Sequence, residues 1–304
     1  MKKRVKNNNI LIITLISLFV IIFVIVPVSF AIFKDNGFGN IAIIPIEGII
    51  MGSGSSTLGQ QIASSKDIVS FIQDANKNPQ IKAIILEINS PGGSPVASDE
   101  ISTAIKQSPK PVVSLIREVG ASGGYWVASA TEYSVANRMS ITGSIGVVSS
   151  YLEFSGLMEQ YGVGYERLVS GNSKDIGSPF KKLNNQEKQI LQKKINLIHN
   201  YFVDEVATNR NLERDHVENL ATGEFYLGIE ALELGLIDEL GDLSTIQEYL
   251  KNNHNINKFD YIHYQRQIGL FDLFSSVASK FSFNIGQGIG SSLVNQENNN
   301  LLMI

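Results

Sequence analysis

The chain has 304 residues, of which 43% are hydrophobic and 18% are charged, a composition that excludes an intrinsically disordered or a collagen-like protein. Its formal net charge is −4, so there is no overall basic field to attract a nucleic acid, and we expect no nucleic-acid partner. The absence of cysteine excludes thiol catalysis, disulfide bonds and cysteine-ligated zinc.

Residues 10–33 form an uncharged apolar run behind a basic N-terminus. The run from Ile10 to Phe33 has 24 residues, more than the roughly 20 that a helix needs to cross a bilayer. Residues 1–9 hold four Lys and Arg side chains, which the positive-inside bias keeps in the cytoplasm. We therefore predict a single-pass anchor at residues 10–33 in the cytoplasmic (inner) membrane, with all later residues on the periplasmic or extracytoplasmic side.

The same segment also has a feature of a cleavable signal peptide. Ser29 and Ala31 place small residues at the spacing of a cleavage site. The apolar region of a signal peptide is only about 7–15 residues long, however, so the length of the run favours an uncleaved anchor.

Beyond residue 40 the pattern is typical of an α/β protein. Short apolar runs alternate with segments of helical spacing and with turns rich in Gly, Pro and Asn. The predicted helix at residues 185–209 has the most regular amphipathic spacing, and we expect its apolar face to pack in the core. Residues 40–250 are predicted to form one domain, and the Asn-rich residues 251–304 a C-terminal arm. The predicted strands are 41–46, 81–88, 111–116 and 133–136, and the predicted helices are 59–77, 99–107, 121–130, 185–209 and 231–236.

A candidate nucleophile, Ser122, lies between glycine-rich residues at the start of a predicted helix. Backbone N–H groups and the helix dipole favour a developing negative charge at such a position. Gly123 beside it lets a substrate chain approach without meeting a Cβ atom. The pattern by itself is more typical of an ordinary N-cap serine with glycines for close packing.

Two further loops carry candidate groups. The turn at residues 89–93 follows a predicted strand, where α/β sheets bind ligands, and its Gly92 and Gly93 could present the free N–H groups of an oxyanion hole or simply form a tight turn. The polar loop at residues 170–179 holds Lys174, which in isolation would be interpreted as a solvated surface lysine.

Histidine chemistry has little support in this sequence. The four histidines come late in the chain, outside the loops that we predict to be catalytic, which argues against a Ser-His-Asp triad. No histidines and carboxylates recur at ligand spacing, so we predict neither a metal nor a cofactor. The histidines are His199, His216, His254 and His263.

Several motifs, in this order, resemble the signal peptide peptidase A family of membrane-anchored serine proteases. They are N-S-P-G-G at 89–93, A-S-G-G-Y at 121–125, T-G-S-I-G-V at 142–147, S-G-x-x-K-D-x-G-S-P at 170–179 and a T-G…G-L-x-D-x-x-G stretch at 222–241. The resemblance covers residues 41–242, and a single N-S-P-G-G motif matches the short form of the family.

The resemblance implies a Clp/crotonase-like fold of repeated ββα units behind the transmembrane helix. It implies Ser122 as nucleophile and Lys174 as general base, with Ser144 orienting the lysine. Gly92, Gly93 and Gly123 are then the candidate oxyanion and substrate-binding residues. It further implies a homo-oligomeric ring that degrades remnant signal peptides and other hydrophobic peptides at the outer face of the membrane.

A lysine base requires a lowered pKa, because a free lysine has a pKa of about 10.4 and is almost fully charged at neutral pH. Burial, with a hydroxyl such as that of Ser144 as partner, would disfavour the charged form. The neighbouring Asp175 would have the opposite effect on Lys174, so we expect its carboxylate to point away. Two alternatives remain open, a crotonase-like acyl-CoA enzyme and an inactive membrane scaffold.

Overall fold

A computed structural model of the protein describes residues 14–25, 39–54 and 61–265. Residues 14–20 are α-helical and Ile21–Ile25 continue as a π-helix. Within the three described ranges, no helix is both long and apolar enough to span a bilayer. The predicted anchor lies partly outside these ranges, and the transmembrane helix stays a prediction.

A largely parallel sheet lies at the centre of the domain. Its main strands run in the order β10-β1-β4-β5-β6-β9, while β7 extends the far end of β5 and pairs with β8 in antiparallel fashion. A separate parallel pair is formed by β2 and β3. The strands are β1 (Ile41–Glu47), β2 (Ile49–Met51), β3 (Ile62–Ser64), β4 (Ala83–Ser90), β5 (Val112–Ala121), β6 (Tyr133–Ala136), β7 (Ile141–Gly143), β8 (Phe225–Leu227), β9 (Glu239–Leu240) and β10 (Tyr261–His263).

Helices cover both faces of this sheet, which confirms the predicted α/β class. Alternate residues of the central strands belong to two separate cores, as the two-residue period of a strand requires. Ile44 and Leu86 belong to the larger core with α1, α2, α3 and α5, and Ile43 and Ile85 belong to the smaller one with α8. The helices are α1 (Ser65–Lys77), α2 (Pro95–Lys106), α3 (Gly123–Ser129), α4 (Ser155–Gln160), α5 (Asn185–Arg210), α6 (Arg214–Leu220), α7 (Gly228–Glu233) and α8 (Leu243–His254).

Helix α1 begins at Ser65, later than its predicted start at residue 59. Ser64 has an extended backbone, and its hydroxyl accepts a hydrogen bond from the N–H of Asp67, so it is the N-cap of α1. Ile62, whose spacing fits the helix, instead lies in β3 beside Ile49 of β2. The pairing of β2 with β3 therefore overrides the helical periodicity.

The expectation that the apolar face of α5 packs in the core is correct only for its C-terminal half. Phe202, Val203 and Val206 are buried there. On the same face of the N-terminal half, Leu191, Ile195 and Ile198 are only half-buried. The N-terminal half of α5 carries no fully buried apolar side chain.

The segment ahead of α5 exposes many apolar side chains, and we call residues 148–180 the apolar segment. Leu168 is 94% exposed and Val148 is 88% exposed. Large exposed apolar surfaces on soluble domains mark interaction sites. The other exposed members are Tyr151, Leu152, Phe154, Leu157, Tyr161, Val163, Tyr165, Val169 and Phe180.

The sheet extends beyond the predicted domain boundary at residue 250. Helix α8 continues to His254, and β10 pairs in parallel with β1, where Ile41 lies beside Tyr261. The start of the predicted arm thus belongs to the sheet, and residues 266–304 lie outside the described ranges.

Candidate active site

Ser122 lies on a strained turn between β5 and α3. Its φ is 52° and its ψ is −121°, a conformation that costs a non-glycine residue on the order of 1–3 kcal/mol and is concentrated at functional sites. Backbone hydrogen bonds hold the turn, from the N–H of Ser122 to Gly143 O at 2.8 Å and from the N–H of Trp126 to Ser122 O at 2.9 Å. The hydroxyl is half-buried and does not cap the helix, so the interpretation as an ordinary N-cap serine is wrong.

The glycine turn after β4 packs directly against Ser122. Gly92 has a φ of +99°, and a Cβ atom added to it would lie 2.9 Å from the Cβ of Ser122 and 2.6 Å from the backbone nitrogen of Gly123. A Cβ on Gly123 would lie 3.2 Å from the nitrogen of Gly93. The fold therefore brings Gly92, Gly93, Ser122 and Gly123 together, as the sequence predicted.

Two backbone N–H groups in this cluster are free to bind an oxyanion. In the described part of the chain, neither Gly93 nor Gly123 donates its N–H to a protein acceptor. The N–H of Gly92 is already used, because it donates to the hydroxyl of Ser90 at 3.1 Å. Ser90 in turn donates to Gly48 O at 2.6 Å. The candidate donors are thus Gly93 and Gly123, while Gly92 supplies the left-handed turn and Ser90, which sequence reasoning missed, holds it in place.

Ser144 follows β7, the strand whose Gly143 carbonyl accepts the hydrogen bond from Ser122. It also has a positive φ, of 51°. Its hydroxyl donates to Gly223 O at 3.3 Å, and its N–H donates to Glu224 O at 2.8 Å. Ser144 is therefore close to Ser122 along the sheet and attached to the 222–224 turn.

Lys174 is not joined to this cluster. Its side chain is exposed, and among the described residues it forms no hydrogen bond or ion pair, whether with Ser122, with Ser144 or with any other group. Its backbone N–H donates to Gly171 O at 3.1 Å within the loop. One copy of the chain therefore places the predicted base, Lys174, in solvent and the predicted nucleophile, Ser122, at the end of β5.

Asp175 points towards other cations, which agrees with the expectation that it avoids Lys174. Arg167 donates to both of its carboxylate oxygens, at 2.5 and 2.7 Å, and the Nζ of Lys181 lies 3.0 Å away. The hydrogen bonds from Arg167 hold the pKa of the Asp175 carboxyl well below its usual range. Such a carboxylate stabilises the fold above its ordinary pKa of about 3.9, and that contribution is lost as the pH falls towards the lowered value.

Histidines do not contact Ser122 in the described structure. His199, which lies on α5, has its Nε2 2.9 Å from Ala221 O, and His254 pairs with Glu132 at 2.8 Å. Nor do any three His, Asp or Glu side chains within residues 14–25, 39–54 and 61–265 gather as a metal site requires.

The close approach at Gly93 leads to a first prediction. A Cβ on Gly93 would lie 2.0 Å from Ile50 O, so we expect Gly93→Ala to displace the turn, lowering the free energy of unfolding by about 1–3 kcal/mol and peptide hydrolysis by about 100-fold. Gly52→Ala is the matched control, because no atom lies within 4 Å of its added Cβ. Denaturant unfolding and peptide-cleavage rates measure both effects, and equal stability and activity in the two variants would contradict the prediction.

Comparison with known proteins gives matches to a peptidase family and to proteins named as proteases. The model of Peptidase family S49 matches residues 104–257. A protein of Methanocaldococcus jannaschii named as a protease is 33% identical over 248 residues, which are 80% of this chain and 78% of that protein. A protein of Enterococcus faecium named as a signal peptide peptidase, SppA, is 31% identical over 226 residues, 73% of this chain and 66% of the relative. The chloroplastic serine protease SPPA of Arabidopsis thaliana is 31% identical over 252 residues, 82% of this chain but 35% of that protein.

Proposed function

The chain belongs to Peptidase family S49, the proteases of the signal peptide peptidase A type, and we propose that it is a serine endopeptidase in which Ser122 and Lys174 form a catalytic dyad. The observation that carries the proposal is the strained turn at Ser122, which packs against the Gly92–Gly93 turn and whose hydroxyl makes no cap hydrogen bond.

The chemistry follows from this arrangement. The neutral Nζ of Lys174 takes the proton of the Ser122 hydroxyl as its Oγ attacks a peptide carbonyl carbon. The N–H groups of Gly93 and Gly123 stabilise the oxyanion. The lysine then gives the proton to the leaving nitrogen as the C–N bond breaks. Water activated by the same amine releases the acyl group from Ser122.

The dyad is completed between two copies of the chain. A lysine base needs burial, because removal from water disfavours the charged form of an amine. Lys174 lies within the apolar segment, whose exposed side chains would be buried against a second copy. Packing of that segment on the Ser122 side of a neighbour would bury Lys174 next to Ser144, and closure of such contacts gives the homo-oligomeric ring.

The substrates are hydrophobic peptides, including signal peptides left in the membrane. The location of the enzyme leads to this assignment, since the uncharged run at 10–33 would hold the catalytic domain at the outer face of the bilayer. An extended peptide could lie along the turn at Gly93, which is exposed and presents no Cβ atom of its own.

Membrane attachment gives a second prediction. We expect the native protein to stay in the membrane fraction after washing at high salt, because about 20 apolar residues in a helix hold a chain in the bilayer independently of charge. Residues beyond 33 should be digested by protease added from outside. N-terminal sequencing of the purified native protein is the check, and a chain that begins at Ile32 would show cleavage after Ala31 and no anchor.

A fluorophosphonate probe tests the activity. It should add one phosphonyl group to the intact protein, on the peptide that contains Ser122, because such probes react with activated serine hydroxyls. Absence of the adduct in protein that is folded and oligomeric would remove the protease proposal and leave the crotonase-like acyl-CoA enzyme or the inactive scaffold.

A further inference from the structure

Four charged side chains form a connected network beside Lys174, and the predicted mechanism does not use them. Arg167 contacts Asp175, Asp175 also contacts Lys181 at 3.0 Å, and Lys181 contacts Glu187 at 2.5 Å. The Glu187 side chain is only 4% exposed, and those of Asp175 and Lys181 are 13% and 19% exposed. We call these four residues the loop network.

The loop network holds the lysine loop on both sides of Lys174. Arg167 donates to the carboxylate of Asp175, one residue after Lys174, and also to Asn172 O, two residues before it, at 3.3 Å. The backbone adds a bond from the N–H of Ser178 to Asp175 O at 3.0 Å. Bidentate Arg–carboxylate contacts fix orientation as well as distance. The two ends of the lysine turn are therefore clamped by one guanidinium group.

The same network ties the loop to the core through α5. Glu187 accepts the N–H of Asn184 and donates its own N–H to Asn184 Oδ1, which makes a capping box at the start of α5. The other end of this 26-residue helix is buried through Phe202, Val203 and Val206. A continuous path of contacts thus runs from the core along α5, through Glu187, Lys181 and Asp175, to the backbone of Lys174.

We infer that Arg167, Asp175, Lys181 and Glu187 are positioning residues, which hold Lys174 at a fixed height and orientation for proton transfer. The inference rests on the proposed Ser-Lys mechanism. A lysine with a flexible four-carbon side chain on an exposed loop has many orientations, and a displacement of about 1 Å in a reacting group can cost about 100-fold in rate. The network fixes the backbone on both sides of Lys174, so that the lysine side chain starts from one position, and it engages the Asp175 carboxylate with Arg167 and Lys181.

The experiment uses a double-mutant cycle in the full-length protein. Asp175→Ala should lower kcat for a hydrophobic peptide by about 10–100-fold, with KM changed by less than about threefold, because the change acts on the position of the lysine and not on the Gly92–Gly93 turn. Arg167→Ala alone should lose activity similarly. The double variant Arg167→Ala, Asp175→Ala should be no more than about twofold worse than the poorer single variant, because both changes break the same contact.

Asp204→Ala is the control, because it removes an exposed ion pair with Arg214 far from the loop, and it should leave kcat within about twofold. Thermal unfolding and oligomer size are measured for every variant, and Asp175→Asn, which keeps the side-chain volume, replaces Asp175→Ala if the latter does not fold. Wild-type kcat in Asp175→Ala, or losses that multiply in the double variant, would overturn the inference. If Lys174→Ala is itself active, the dyad fails, and this outcome is separate from a failure of the network alone.

Discussion

Replacing Ser122 with Ala is expected to abolish peptide hydrolysis, with a loss of at least about 1,000-fold, while the domain stays folded. The hydroxyl is the group that forms the acyl-enzyme, so only the binding and oxyanion contributions to the rate remain without it. The turn itself should persist in the Ser122→Ala variant, because the Ser122 hydroxyl makes no cap hydrogen bond that the change would remove. Cleavage of a fluorogenic hydrophobic peptide and the fluorophosphonate adduct measure the loss.

Ser70→Ala provides the matched comparison. Ser70 lies on α1 with an exposed side chain, so the variant should keep wild-type turnover and thermal stability. Residual activity of Ser122→Ala above about one tenth of the wild type would assign the nucleophile elsewhere. Unfolding of Ser122→Ala would be separated from loss of chemistry by its oligomer size and melting temperature.

The spacing of apolar residues along the chain correctly predicted some of the helices and strands. The strand at 133–136 matches β6, and the long amphipathic repeat matches α5 within one residue at its end. A usable signal was missed at α2, where Ser94 and Pro95 form the N-cap and first turn of a helix that begins four residues before the predicted start. The N-cap serine and the proline therefore predict the start of this helix better than the spacing of its apolar residues does.

Other parts of the fold depend on contacts between distant residues. β7 and β8 are three residues long and exist because Ile141 pairs with Val119 on one side and Leu227 on the other. The apolar face of α5 keeps the same spacing in its half-buried N-terminal half as in its buried C-terminal half, so periodicity alone does not tell which half meets the core. Burial depends on what packs against the helix, and the local pattern does not contain that information.

The site shows the same division. The glycines at 92, 93 and 123 and the serine at 122 were identified from residue type. A Cβ atom at any of the three glycines would lie within 2.6 Å of a neighbouring atom, so only glycine fits there. The distance between Lys174 and Ser122 could not be predicted from residue type, since it depends on where the 170–179 loop lies. Arg167 and Lys181 were missed for a similar reason, although the Asn184-x-x-Glu187 capping box was visible in the sequence.

Removing the amine of Lys174 is expected to have an effect as large as removing the Ser122 hydroxyl. Lys174→Ala and Lys174→Cys should each lose at least about 1,000-fold in turnover, and the double variant with Ser122→Ala should be no worse, because nucleophile and base act as one unit. The chain has no cysteine, so Lys174→Cys carries a single thiol. Alkylation of that thiol with 2-bromoethylamine rebuilds a lysine-like side chain and should restore activity.

The restored enzyme should gain activity with rising pH, with an apparent pKa well below the roughly 10.4 of a free amine, because only the neutral amine accepts the serine proton. Lys66→Cys, exposed on α1, is the control, and its activity should be unchanged before and after alkylation.

Mixing Ser122→Ala and Lys174→Ala chains and refolding them together should return part of the activity, since a shared site can take its serine from one copy and its lysine from another. Wild-type turnover in Lys174→Ala would refute the dyad. A mixture as inactive as its components would refute its completion between copies.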